Sequence, residues 1–360
     1  MELTNRSKTV LSTLLVLIVI FVLLLAAEGF TRVRQYIQYG TFGNISVINI
    51  DPETGLRTPE EGSKTAHISI NSLGFRGPEI DTPKPANRLR IGYLGASTTY
   101  CAEVSSNEMV WTEQIRDNLE KAIPGISIDY VNGGVPGYTT GTSLINLDKR
   151  IAPLQPDVIV IYHATNDLSK ETRDLAVAAG IQQANLATEE SWLGRYSLLW
   201  YLVEKNLALI NLEQNSREML TLDTSVLGAT FRQNLIRLVD KAREHGASQV
   251  ALVTFSIHMR EGMDPDQQKA AMMSARYYMP YLSPDDLLAG FEFYNNIIRE
   301  VANETGAILI DNENSIPGDP IHFVDSVHFT DKGSQLQAKR VVAGLMASNA
   351  FLKMTARFQR

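Results

Sequence analysis

Apolar residues in this chain fall into two regular patterns, separated by a stretch that follows neither. Residues 10–27, VLSTLLVLIVIFVLLLAA, run for eighteen positions without a charge. As a helix they would cover roughly 27 Å, close to the thickness of a bilayer core. Apolar side chains on every face of that helix predict a membrane segment rather than an amphipathic core helix. Further on, β-branched and apolar runs at 89–94, 126–131, 158–162, 250–255 and 307–310 alternate with helical patterns such as WTEQIRDNLEKAI and FRQNLIRLVDKAREHG. Continuous apolar strands between amphipathic helices predict a parallel sheet covered on both faces, with chemistry at the carboxyl ends of the strands. Residues 36–87 mix polar residues with Gly and Pro and hold only short strand-like pieces, SVINI and HISIN. They predict a stalk, or a small add-on packed against the main domain.

The resulting layout is a tail at 1–9, a membrane segment at 10–27, a juxtamembrane stalk or add-on at 28–87, a main domain at 88–348 and a tail at 349–360. The main domain carries insertions at about 168–228 and 259–290. An apolar centre this long favours an uncleaved signal anchor over a cleaved signal peptide, and Leu25-Ala26-Ala27 is a poor cleavage site although Ala27-Glu28-Gly29 is a passable one. Arg6 and Lys8 before the segment are balanced by Arg32 and Arg34 after it, so charge leaves the orientation open. Everything after about residue 35 then lies on one side of the membrane, expected to be the extracytoplasmic side.

At 360 residues and 44% hydrophobic, the chain can bury a substantial α/β core. A net charge of -7 and the lack of any Lys/Arg run give no support to nucleic-acid binding. The only cysteine, Cys101, excludes an intramolecular disulfide and a CxxC metal site.

Candidate chemistry gathers where the strands end. The first strand runs into Gly95-Ala96-Ser97-Thr98-Thr99 and then a helical segment, which puts Ser97 at a sheet edge over the first amides of a helix. Ser97 is either a helix cap or a nucleophile. The second strand ends in Asn132-Gly133-Gly134-Val135-Pro136-Gly137-Tyr138, whose glycines let backbone amides point at an anion. Its GGxxG spacing does not fit a dinucleotide fingerprint, and no GKS or GKT of a phosphate loop occurs. The third strand ends in Tyr162-His163-Ala164-Thr165-Asn166-Asp167, where Asn166 can aim amide donors at an oxyanion and Asp167 can brace the loop, or the pair can simply form a turn. His163 is expected to pack in the sheet. After the fifth strand, Asp325 and His328 stand three apart, so one carboxylate can hold one imidazole nitrogen while the other nitrogen reaches Ser97 as a base. His322, Asp325 and His328 at i, i+3 and i+6 could instead ligate a metal, but nothing completes a shell. In Asn71-Ser72-Leu73-Gly74-Phe75-Arg76-Gly77, Arg76 belongs to a docking turn or lies near a ligand.

These four blocks in order, strand-Gly-x-Ser, a Gly loop, Asn-Asp and Asp-x-x-His, resemble the SGNH (GDSL) hydrolase superfamily over residues 89–345. The resemblance implies a flavodoxin-like three-layer α/β/α fold with a central parallel sheet. By motif position it implies Ser97 as nucleophile, His328 as base, Asp325 as its orienting partner, and an oxyanion hole from the Ser97 amide, Gly137 and Asn166, with no cofactor and no metal. The sequence departs from the family at Ala96, where the motif has Asp, and at Ala164, where it has Gly. The segment around Arg76 also resembles one found ahead of the domain in membrane-anchored bacterial members.

The implied activity is ester hydrolysis on an acylated small molecule, glycan or lipid. An O-acyltransferase could use the same triad with a sugar hydroxyl in place of water, and a non-catalytic envelope scaffold is the third class. Trp192, Trp200 and Tyr201 in the first insertion and MMSARYYMPYL in the second suit a lid over acyl chains or sugar rings, or they pack the insertions onto the domain.

Overall fold

The computed structural model describes residues 5–43, 48–181, 191–215 and 219–359. The chain divides into two compact units, one of residues 1–45 and 185–215, the other of residues 46–184 and 216–360.

The larger unit begins with an antiparallel hairpin, β1 (Ile48–Ile50) and β2 (Arg57–Pro59). A five-stranded parallel sheet follows, built from β3 (Arg88–Gly95), β4 (Ser127–Asn132), β5 (Val158–Tyr162), β6 (Gln249–Val253) and β7 (Ile308–Ile310) in the order β4-β3-β5-β6-β7. The first strand of the sheet therefore lies inside it, paired with β4 from Arg88–Ser127 to Tyr93–Asn132 and with β5 from Ile91–Val158 to Gly95–Tyr162. This is the doubly wound order of flavodoxin-like folds, whose switch point here lies between β3 and β5. Ser97 and Asn166 follow those two strands.

Helices cover both faces, which explains why the strands read as unbroken apolar runs: every residue of β5 is buried. Helices Trp111–Ala122 and Asp331–Ala347 pack together on one side, and Thr140–Asn146, Ala229–Glu244 and Pro284–Thr305 on the other. An aromatic row crosses the core under the site, with Tyr93–Trp111, Trp111–Tyr162 and Tyr162–Phe255 ring centroids 5.2, 5.8 and 4.7 Å apart. Trp111 ties this row to the turn above, since its Nε1–H donates to the Thr98 carbonyl at 3.0 Å. The apolar run at 250–255 ends as a strand at Val253, and beyond it the Phe255 backbone bonds the Asn295 side chain, its amide donating to Oδ1 at 2.6 Å and its carbonyl accepting from Nδ2 at 3.0 Å.

The Gly/Pro-rich stretch joins this unit. Phe75 and Ile80 enter the main core, and Leu56 packs with Ala96, Val135 and Tyr138. In the second insertion Met272, Met279 and Tyr281 are core residues, so its soft side chains chiefly pack the insertion onto the sheet.

In the smaller unit the helix Asn5–Tyr39 is long and apolar enough to cross a membrane over Val10–Ile37. Helices Trp192–Tyr196 and Leu198–Asn215 belong to the same unit, and with them Trp192, Trp200 and Tyr201.

Candidate active site

β3 ends at Gly95, and after Ala96 the chain makes a single helical turn, Ser97–Tyr100. Cys101 then stops the turn in the left-handed region, at φ 54° and ψ 57°. A non-glycine residue there costs about 1–2 kcal/mol. Arg76 offsets that cost: its guanidinium donates to the Tyr100 carbonyl at 2.9 Å and to the Cys101 carbonyl, and also to Asn107 Oδ1 at 2.9 Å and the His67 carbonyl at 3.1 Å. Only 2% exposed, Arg76 has the docking role of the two the sequence left open, holding the end of the Ser97 turn. The Cys101 thiol is buried and donates to the Thr98 carbonyl, and burial pushes its pKa up.

Across the sheet edge, Asp325 and His328 occupy a tight turn ahead of the helix Asp331–Ala347. Asp325 Oδ1 accepts from the amides of Val327 and His328, both at 2.9 Å, which leaves Oδ2 for His328 Nδ1 at 2.8 Å. The other ring nitrogen, Nε2, lies 2.8 Å from Ser97 Oγ. Ser97, His328 and Asp325 are thus brought into one hydrogen-bonded chain. Two further contacts fix the turn from outside: His258 donates from its amide to the Ser326 carbonyl at 2.8 Å and from Nδ1 to the Asp325 carbonyl at 3.1 Å. Ser105 donates to the Asp331 carboxylate from both its amide and its hydroxyl, clamping the Ser97 loop to the same helix.

Glu103, which sequence reasoning did not single out, enters this site as a second carboxylate. Its Oε1 lies 4.0 Å from His328 Nδ1. Burial raises the Glu103 carboxyl against the pull of His328 and Arg76. Burial alone would lower His328, but Glu103 and then Asp325 override it and push the imidazole up to about 9. Partial burial would raise the half-buried Asp325 carboxyl, yet the bonds from the His328 ring and the two amides hold it at about 2. Glu103 carried no sequence signal beyond being an acidic residue six positions after Ser97, in a loop whose path only the fold reveals.

The two remaining loops lie side by side. Gly137 has φ +86°, a conformation that L side chains rarely adopt, and is exposed. Gly134 answers a different need, because a Cβ there would stand 2.6 Å from the Tyr100 amide nitrogen. Asn166 Nδ2 donates to the Tyr138 carbonyl at 2.9 Å, next to Gly137, and its second amide hydrogen has no partner among the described residues. Asp167 accepts from the Thr140 amide at 3.0 Å and the Thr140 hydroxyl at 2.5 Å, tying the β5 loop to the β4 loop. His163 is 2% exposed, bonds Ser143 Oγ at 2.8 Å, and is pushed by burial down to about 3, so it stays neutral. His322 turns away from Asp325 and pairs with Asp319 at 2.7 Å.

A parallel sheet with a serine, a histidine and an aspartate linked above its carboxyl edge is the arrangement of an α/β serine hydrolase. Residues 93–336 match the model of the GDSL-like lipase/acylhydrolase family. The chain belongs to this family, and with it to enzymes that hydrolyse ester bonds. Several solved structures are similar. A lipase/acylhydrolase from Enterococcus faecalis is 18% identical, with 71% of this chain and 95% of that one covered and a TM-score of 0.42. Axe2, an acetylxylan esterase from Geobacillus stearothermophilus, is 14% identical, with 73% and 95% covered and a TM-score of 0.42. TesA is 16% identical, with 71% and 97% covered and a TM-score of 0.43. No curated protein matches the sequence.

Proposed function

We propose that the chain is a membrane-anchored serine esterase that removes acyl groups from an O-acylated glycan or lipid outside the cytoplasm. The observation that carries this reading is the chain of two 2.8 Å contacts from Ser97 through His328 to Asp325. His328 Nε2 takes the Ser97 proton, the alkoxide attacks the ester carbonyl, and the tetrahedral oxyanion is met by the Ser97 and Gly137 amides and Asn166 Nδ2. Collapse releases the alcohol, protonated by His328, and leaves an acyl-Ser97 ester. Water, deprotonated by His328, then attacks that ester and frees the acid. Asp325 keeps the proton on Nδ1 throughout, so Nε2 is free to accept.

The test is labelling of the detergent-solubilised full chain with a fluorophosphonate. Labelling that disappears in Ser97→Ala supports the nucleophile; a folded wild-type chain that does not label removes it. Once labelling is established, acyl donors supplied with and without sugar acceptors separate hydrolysis from transfer.

Three further outcomes follow. Asn166→Ala removes one oxyanion donor and is expected to lower kcat on the order of 100-fold while the chain stays folded; near wild-type turnover would reject Asn166 as a donor. Because His328 must be neutral to take a proton and is held up at about 9, kcat/KM is expected to rise with pH through neutrality, to reach half its plateau at about pH 9 and to level off above that. Glu103→Gln removes a negative charge that favours the imidazolium, so it lowers the His328 pKa and moves the levelling-off to lower pH. A pH profile superimposable on the wild type would show that Glu103 does not act on His328.

A further inference from the structure

The smaller unit has a feature that ester hydrolysis does not use. Glu28 follows directly on the uncharged run 10–27, and its carboxylate accepts from Ser197 Oγ at 2.8 Å, the Leu198 amide at 3.1 Å and the Leu199 amide at 2.9 Å. It thereby satisfies the otherwise unpaired first amides of the helix Leu198–Asn215. Arg32 pairs with Glu28 at 2.7 Å and donates to the Tyr196 carbonyl at 2.9 Å. These bonds fix the segment from Trp192 to Trp200 at the level of residues 28–32 of the N-terminal helix.

That level is defined by the helix itself. Apolar side chains from Val10 to Leu25 are all 47–62% exposed, whereas Ala27, Glu28, Thr31, Arg32 and Gln35 are half-buried or buried. Lateral packing therefore begins where the uncharged run ends. A run of roughly 27 Å fills a bilayer core of about 30 Å, which leaves Glu28 and Arg32 at headgroup depth, where a paired carboxylate and guanidinium are tolerated. The segment bonded to them exposes Trp192 by 73%, Tyr196 by 73%, Leu193 by 43% and Trp200 by 42%. Trp and Tyr are the residues enriched at that depth, since their rings are apolar with a polar tip.

Resting on the reading of the N-terminal helix as a membrane anchor, we infer that Trp192, Leu193, Tyr196 and Trp200 form a second membrane contact, a short interfacial turn seated in the headgroup region beside that helix. The partner is the lipid surface itself. The aromatic content of this insertion then serves to hold the chain on the bilayer.

The chain has three tryptophans, and Trp111 is wholly buried in the sheet core, so fluorescence can read the other two. The full chain is reconstituted in phosphatidylcholine/phosphatidylglycerol vesicles that contain phosphatidylcholine brominated at carbons 6,7 or at carbons 11,12. Bromines at 6,7 are expected to reduce emission about twofold and bromines at 11,12 less, as suits headgroup-level rings. The double variant Trp192→Phe with Trp200→Phe is expected to lose that quenching while hydrolysis of a soluble aryl ester is unchanged. Vesicle flotation reads the anchor separately. A chain that floats but is no more quenched than the double variant overturns this inference alone and gives the aromatic face to a protein partner. A chain that fails to float overturns the anchor reading, and this inference with it. If the double variant does not fold, each single Trp→Phe variant is read in its place, and retention of full quenching in both would equally overturn it.

Discussion

Ser97→Ala is expected to abolish ester hydrolysis, with a loss in kcat on the order of a million-fold, the scale seen when a serine hydrolase loses its nucleophile. Among the described residues, Ser97 Oγ is the nucleophile-type atom bonded to His328 Nε2, at 2.8 Å, and a hydroxyl there can form a covalent acyl intermediate. Its removal creates no packing defect, because the turn Ser97–Tyr100 is held by Arg76, by Trp111 and by its own backbone bonds. His328→Ala should cost a similar factor, and the double variant no more than either alone, because nucleophile and base act as one unit. Steady-state assays with an aryl ester, with circular dichroism to show folding, check this. Turnover above about 1% of wild type in folded Ser97→Ala would place the nucleophile elsewhere.

Asp325→Asn is expected to lower kcat about 10⁴-fold with the fold intact, and the turn around it gives the reason. Oδ1 of Asp325 is held by two amide donors, from Val327 and His328. An asparagine must keep its oxygen at that position, which turns its NH2 group toward His328 Nδ1. The ring then carries its proton on Nε2, facing Ser97 with a donor where an acceptor is needed. Loss of less than about tenfold would show that Asp325 does not set the tautomer, and would point to Glu103, 4.0 Å from the same nitrogen, as the group that does.

Much of the sheet was legible because strand and helix leave local signatures. The runs 89–94 and 158–162 could be read as buried parallel strands since both faces of the sheet are covered, and they appear as β3 and β5. The Asp325 and His328 contact was legible for the same kind of reason, because a spacing of three in a tight turn brings two side chains to one side. Arg76 was not legible in this way. Its neighbours in sequence mark a turn, but its acceptors are the carbonyls of Tyr100 and Cys101, 24 and 25 residues away. The insertions were the hardest to read. Met272, Met279 and Tyr281 have the composition of a soft lid, yet a buried side chain and a lid side chain look alike until the packing partner is known.

By itself, then, the sequence determined what depends on neighbours along the chain: an uncharged run long enough to cross a bilayer, a parallel α/β sheet, strand ends carrying Ser97, Gly137 and Asn166, and a carboxylate three residues from His328. The tertiary structure decided what depends on distant segments meeting. It brought His328 to Ser97 across 231 positions, set Glu103 beside the same imidazole, and tied Ser197 to Glu28 across 169. The reason is physical. Periodicity records which face of an element is buried, whereas the choice of partner, and the charge that partner brings into a buried place, depend on how the elements pack.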